Sequence, residues 1–443
     1  MGYYEHPPAT AVLTKIFARK GSEISVRLPS LIFWLISAIV YFLFAKMLFR
    51  EDVKGKMALY SSLLFISTPL LFFVLFFAVQ EYPLMLFWIL SVILLWKISE
   101  QPNNKINYIL FGIFLGFALL SKYTAILTVP SYFLFLMLVK DFQPLKFFKY
   151  SILIAVAIFS PVIIWNIQHG SVSFIYQLKK GFVGIIPEIV NFNWYDGLFG
   201  EFLFDIFWGF WAELATLTPL VFIIFFGGLV LGCGKDKREK FLWSFTFFPF
   251  IFFSFASLFS PIEVHWIDVS LPTGFISGIR VLHKLSEKIK LPSIFDIVAL
   301  LSILSSSLLS LFFCFHFLGF ITLPAYKFGG WRDFSAKIEQ CAKKYNTNTV
   351  IVSSGRWDGS EINFYSDLEV LWDDRRDRFL IDKKIIKGDI IIVSPEPWEI
   401  DLKCDSIEMC QEYGGGNRGK KFKILFCKNT YIKLFKKGKE FLP

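Results

Sequence analysis

Apolar runs long enough to cross a bilayer recur from residue 29 to residue 320, separated by short polar breaks. A helix needs about 20 predominantly apolar residues to span a hydrocarbon core of about 30 Å. Ten spans follow from the pattern, at 29–48, 57–78, 83–97, 107–121, 124–140, 149–166, 203–231, 240–259, 267–281 and 294–320. The breaks alternate in character. REDVKGK (50–56), KISEQPNNK (97–105), KDFQPLKFFK (140–149), GKDKREK (234–240) and HKLSEKIK (283–290) hold nearly all the basic residues between spans. Lys and Arg collect in cytoplasmic loops, so these breaks are placed inside. The others then face outward: QEYP (80–83), KY (122–123), the long 168–201 segment and SPIEVHW (260–266).

Beyond the last span the pattern changes. Residues 325–443 are polar, and the runs NTVIVSS and GDIIIVSP read as short buried strands between turns. The expected fold is a polytopic α-helical membrane protein. Residues 1–28 form an outward loop and amphipathic segment, 29–324 the bundle, and 325–443 a small α/β domain that helix parity places on the extracytoplasmic face. One feature conflicts with this parity. It puts residue 1 outside, yet Lys15, Arg19, Lys20 and Arg27 follow with no earlier apolar segment. A basic tail is hard to translocate unaided, so a helix upstream of Met1 is expected, the alternative being a different parity with one short hairpin not spanning.

Composition supports the same class. Of 443 residues, 55% are hydrophobic and 55 are Phe, and the mean hydropathy is +0.55. That excludes a soluble enzyme, a coiled coil and a disordered chain. The net charge of +10 sits largely in the inward loops and in the basic tail KNTYIKLFKKGK (428–439), which removes nucleic acid as the default partner. The tail reads as a solvated edge or as a contact for anionic headgroups. Cys233 and Cys314 lie in or beside apolar segments, as buried thiols do. Cys341, Cys404, Cys410 and Cys427 lie in the polar C-terminal part, where two disulfides are allowed if the compartment is oxidising.

Candidate chemistry lies in the acids near the ends of spans, because holding a carboxylate near the membrane is costly. Glu5, Glu81, Glu213, Glu263 and Asp268 qualify, with His6, Lys122, His169 and His265 as polar companions. All but Glu213 sit on or beside the outward face. Carboxylates, His and Lys gathered there suit a reaction in which a base activates an acceptor while cations receive a departing phosphate. Each has a plainer reading. Glu81 before Pro83 marks a solvated turn, Lys122 a snorkelling side chain, and Glu5 with His6 a polar turn before Pro-Pro. His169 and His265 beside Trp266 read as interfacial residues, and Glu213 as a residue paired within the bundle. No zinc, calcium or phosphate-loop motif occurs, and the Gly run at 414–416 is weak.

Five stretches then arrive in a telling order: GYYEHPP (2–8), SEISVRLPS (22–30), STPLLFFVLFFAVQEYPLMLFW (67–88), GFALLSKYTAILTVPS (116–131) and WNIQHGSVSFIYQLKKG (165–181). Together they resemble the polytopic glycosyltransferases that use lipid-linked sugars, the dolichyl-phosphate-mannose protein mannosyltransferase-like group. That group includes bacterial lipid A aminoarabinose and galacturonic acid transferases. The likeness runs through EVHW (263–266) and reaches GGWRDFSAKIEQ (329–340), like the opening of the soluble tail domain in bacterial members.

The resemblance implies a GT-C bundle in the inner membrane that moves a sugar from a polyprenyl-phosphate donor to a lipid A, glycan or protein acceptor. It implies Glu81 and Lys122 as catalytic residues, Lys122 pairing with the donor phosphate. It implies Tyr4, Glu5, His6, Tyr123, His169 and His265 as substrate-binding residues. Glu5 and His6 are also the candidate ligands for a divalent metal ion, the one cofactor implied. Its departure from the family's pattern is that relatives carry an Asp-containing outward loop before the GYY stretch, which is again expected upstream of Met1. Two rivals are a transporter or flippase of lipid-linked sugars, which would need midplane polar residues and a repeat that the chain lacks, and a non-catalytic assembly protein. A catalytically incomplete fragment is a third.

Overall fold

The structure, a computed structural model, describes residues 5–19, 22–49, 52, 54–72, 78–182, 217–256, 264–317, 331–352, 356–372, 385–395, 404–414 and 421–433. It is mostly helical through residue 317 and ends in a small sheet domain. Four described helices are long and apolar enough to cross a membrane, beginning at Glu23, Glu81, Phe148 and Pro292, and shorter apolar helices run alongside them.

The first of these, Glu23–Leu48, shows how the sequence makes a bundle helix. Trp34, Ser37, Tyr41, Phe44, Ala45 and Leu48 recur three or four apart and are buried, while Leu35, Ile39 and Leu43 between them are exposed. Both faces are apolar because one packs on neighbouring helices and the other meets hydrocarbon. The buried stripe uses the aromatic excess directly. Tyr41 stacks on Phe65 with centroids 4.4 Å apart, and its hydroxyl donates to the Pro272 carbonyl at 2.7 Å. Glu81–Glu100 is the central span, buried along most of its length.

Small residues allow a close helix contact. Pro219–Leu231 crosses Leu271–Lys288 at Gly228, Gly274 and Gly278. A Cβ on Gly228 would lie 2.6 Å from the Gly278 nitrogen, and one on Gly278 would run into the Ile224 carbonyl. Gly274 and Gly278 have the four-residue spacing that lets backbones approach in a membrane. Gly278→Leu is therefore expected to part these helices at a cost of about 1–3 kcal/mol or more. Thermal unfolding in detergent checks this; an unchanged midpoint would show that the crossing tolerates side chains.

The basic break 234–240 has an unexpected job. Arg238 donates to the carbonyl of Leu48 at 3.0 Å, Lys237 to that of Ser99 at 2.7 Å, and Lys240 to that of Leu138 at 3.0 Å. Each carbonyl lies in the last turn of a different helix, where no intrahelical donor remains and positive charge is favoured. Between them Glu239, itself buried, accepts from Arg280 at 2.8 Å and pairs with Lys284. This end of the bundle is thus clamped by one short segment.

The sheet domain has strand order β2-β1-β3-β5-β4, with β1 Thr349–Val352, β2 Glu369–Trp372, β3 Ile385–Pro395, β4 Ser406–Gly414 and β5 Lys421–Lys433. β1 runs parallel to β2 and β3, while β5 is antiparallel to β3 and β4. The two apolar runs expected as strands are β1 and β3. Helices Trp331–Lys344 and Arg356–Tyr365 cover one face, on which Phe334, Ile338, Val350, Val352, Ile391 and Phe426 are buried. Disulfides Cys341–Cys410 and Cys404–Cys427 pair the four C-terminal cysteines. The domain touches the bundle where Tyr365 donates to Glu23 at 2.7 Å. Glu23 opens the helix whose other end, at Leu48, is held by Arg238, so the sheet domain and the clamp lie at opposite ends.

Candidate active site

Three elements far apart in sequence bring Glu81, Lys122 and His265 together. Glu81 is the first residue of its helix. Lys122 follows Lys105–Ser121 in extended backbone, just before the 3-10 turn Tyr123–Leu127. His265 sits in a second 3-10 turn, Val264–Ser270. Lys122 Nζ donates to Glu81 Oε1 at 2.5 Å, and His265 Nε2 lies 3.3 Å from the same oxygen. Glu81 is 1% exposed and Lys122 6%. Burial at this depth disposes of the solvated turn and the snorkelling lysine as accounts of these two residues, since either would leave the charge in water. Glu81 Oε2 is buried and finds no partner among the described residues.

The site lies about 30 Å from the clamp, because Glu81 and Ser99 sit at opposite ends of one 20-residue helix. It therefore shares its end of the bundle with the sheet domain. Asp268, in the same 3-10 turn as His265, is also buried.

A second group of expected residues gathers around the helix Val172–Phe182. Tyr123, next to Lys122, meets the Phe174 ring of this helix edge-on at 5.8 Å. Gln177 Nε2 donates to the backbone carbonyl of Glu5 at 2.5 Å, and Glu5 is buried. Glu5 and Tyr123 are thereby tied to one helix. His6 is partly buried. His169 turns elsewhere: its ring stacks on Trp165 at 4.3 Å and Nδ1 lies 2.7 Å from the Trp165 carbonyl. Tyr4, Glu213 and Glu263 lie outside the described residues. Among the described residues no three His, Cys, Asp or Glu side chains gather as a metal site, and Glu5 and His6 make only two.

Sequence reasoning did not single out Asn166, Ser173 or Gln177. Asn166 left one signal, an amide inside the apolar run VIIWNI, and it is fully buried with its Oδ1 accepting from the Ser173 backbone at 3.0 Å. Thr10, Thr14 and Tyr82 left none. Helix Ala9–Phe17 packs across Glu81–Glu100 and Lys105–Ser121, and the Tyr82 hydroxyl lies 3.4 Å from both Thr14 Oγ1 and the Thr10 carbonyl.

Residues 5–165 match the family model described as dolichyl-phosphate-mannose-protein mannosyltransferase. ArnT from Cupriavidus metallidurans bound to undecaprenyl phosphate superposes with a TM-score of 0.59 at 12% identity, covering 96% of this chain and 88% of that one. The chain has the GT-C fold. The apo form of the same ArnT superposes with a TM-score of 0.55 at 11% identity, with equal coverage. No curated protein matches the chain in sequence. The superposition covers 96% of this chain, so it takes in the small sheet domain as well as the helical bundle.

Proposed function

We propose that this GT-C protein is a membrane glycosyltransferase that moves a sugar from a polyprenyl-phosphate donor to a lipid A, glycan or protein acceptor. The carrying observation is the buried Glu81–Lys122 pair with His265 beside it, at one end of a span. A buried ammonium held at a fixed point is suited to a phosphate that gains charge as its sugar leaves. In the reaction the acceptor oxygen forms a bond to the anomeric carbon while the bond from that carbon to the phosphate oxygen breaks. The displacement is single and inverting. Polyprenyl phosphate departs toward Lys122, with His265 within reach as a second donor, and the acceptor proton passes to a carboxylate. Glu81 holds Lys122 in place, and its second oxygen, buried and without a partner among the described residues, is left to receive an acceptor hydroxyl. Glu5, His6 and Tyr123 line the donor side.

The protein works on the outer face of the inner membrane in this reading. Support comes from the two disulfides, which persist in oxidising compartments, in a domain at the same end of the bundle as the site. The basic clamp at the other end obeys the positive-inside bias.

The test uses membranes holding the protein and labelled polyprenyl-phosphate sugars. Transfer of label to a lipid, glycan or protein is expected, and Glu81→Gln should slow it about 10²-fold, the size of effect seen when one preorganised polar group is removed. Movement of intact donor across the bilayer with no new glycosidic bond would favour a flippase instead. Wild-type rates in Glu81→Gln would sink the site assignment.

A further inference from the structure

Three hydroxyls on the elements that carry or cross the Glu81–Lys122 pair are poorly satisfied. Thr10 Oγ1 and Thr124 Oγ1 are buried and have no hydrogen-bond partner among the described residues, as is also true of Glu81 Oε2. The hydroxyl of Tyr82, a residue 1% exposed, has only the two 3.4 Å contacts to Thr14 and the Thr10 carbonyl, beyond the usual range for O–H donors. Leaving such atoms dry is costly, and native proteins hold few of them. Here they lie on the segments that carry the ion pair or pack against it. Tyr82 follows Glu81 in the chain, Thr124 lies two residues after Lys122, and Thr10 sits on the helix that crosses the two helices ending at Glu81 and Lys122.

We infer that Thr10, Tyr82 and Thr124 form an uncharged wall that reads the hydroxyl groups of the donor sugar. This rests on the reading of the site as a sugar-transfer centre and deepens it: the ion pair takes the phosphate, and the three hydroxyls take the ring. Hydroxyls both donate and accept, so they match a polyol in either sense. A site built to bond hydroxyls also rejects a headgroup that lacks them, because its own polar groups are then left buried and unpaired. The inference assigns these residues to specificity, and leaves bond breaking to the pair.

The experiment measures binding to the full chain in detergent. The probes are bare polyprenyl phosphate and polyprenyl phosphate bearing mannose, galacturonic acid or aminoarabinose. Wild type should hold at least one sugar-bearing lipid more tightly than the bare one. Thr10→Val and Thr124→Val should each weaken that lipid about 5- to 10-fold, the worth of one hydrogen bond, and leave the bare lipid unchanged. Tyr82→Phe should act alike. The unliganded Val variants should melt at or above the wild-type temperature, because each removes an unpaired buried hydroxyl. A structural role for the threonines predicts lower melting and equal weakening of both lipids, and that result overturns the inference. So does unchanged binding of every probe, which would mean that the hydroxyls hold buried water. Failure of wild type to bind even bare polyprenyl phosphate would instead bring down the glycosyltransferase reading, and this inference with it.

Discussion

Lys122→Ala is expected to abolish sugar transfer and to destabilise the protein at the same time. The substitution strips Glu81 of its nearest partner and leaves a carboxylate 1% exposed with the His265 ring at 3.3 Å. Breaking a buried pair from one side costs about 3–5 kcal/mol, because the abandoned charge stays buried. Loss of the phosphate partner should lower the rate by about 10²–10³-fold. The two effects separate in the double variant Glu81→Gln with Lys122→Met. Two uncharged side chains of similar volume relieve the buried charge, so thermal stability should return while transfer should not. Lys122→Arg keeps the charge but spreads it over a planar fork, and should retain stability with a partial loss of rate. If the double variant recovers transfer as well as stability, Lys122 serves only packing, and the phosphate must be met elsewhere.

The residues of this pair were legible one at a time. Glu81, Lys122 and His265 each stand where an apolar run meets a polar break, and that position alone makes an ionisable residue conspicuous. Their meeting was not legible, because it depends on how three helix ends converge, and no periodicity within one helix carries that. The same limit explains the residues passed over. Thr10 and Tyr82 are ordinary in their local sequence and become notable only when the helix Ala9–Phe17 is laid across two others. The 234–240 break shows a different gap. The break lies at one end of the bundle, and its side chains are engaged with the carbonyls of Leu48, Ser99 and Leu138 rather than spread into solvent. Charge counting assigns a face and says nothing of what each charge holds. His169 illustrates the converse: its resemblance to a site residue came from order along the chain, and in the structure its ring lies against Trp165.

Removing Cys341–Cys410 should cost the sheet domain more than removing Cys404–Cys427. Four cysteines allow three pairings, and the observed one joins partners 69 residues apart in the first case and 23 in the second. Chain-entropy reasoning gives about 4 kcal/mol for the longer loop and about 3 kcal/mol for the shorter. The geometry widens the gap. Cys341 lies on the helix that covers the sheet, and Cys410 on β4, which among the described strands pairs with β5 alone. Without the bridge the edge strand and the covering helix lose their cross-link, and a domain with a total stability of about 5–15 kcal/mol should lose a large share of it. Proteolysis of Cys341→Ser with Cys410→Ser in membranes should cut the domain from an otherwise intact bundle. Cys404→Ser with Cys427→Ser should resist longer. The same cysteines offer a test of the orientation proposed for the site. Cys233 is a free, exposed thiol beside the basic clamp, so in intact spheroplasts an impermeant maleimide should modify the four C-terminal cysteines after reduction and spare Cys233 until the membrane is opened. The reverse order of labelling would put the Glu81–Lys122 site on the cytoplasmic side, where the acceptors proposed for it would be out of reach.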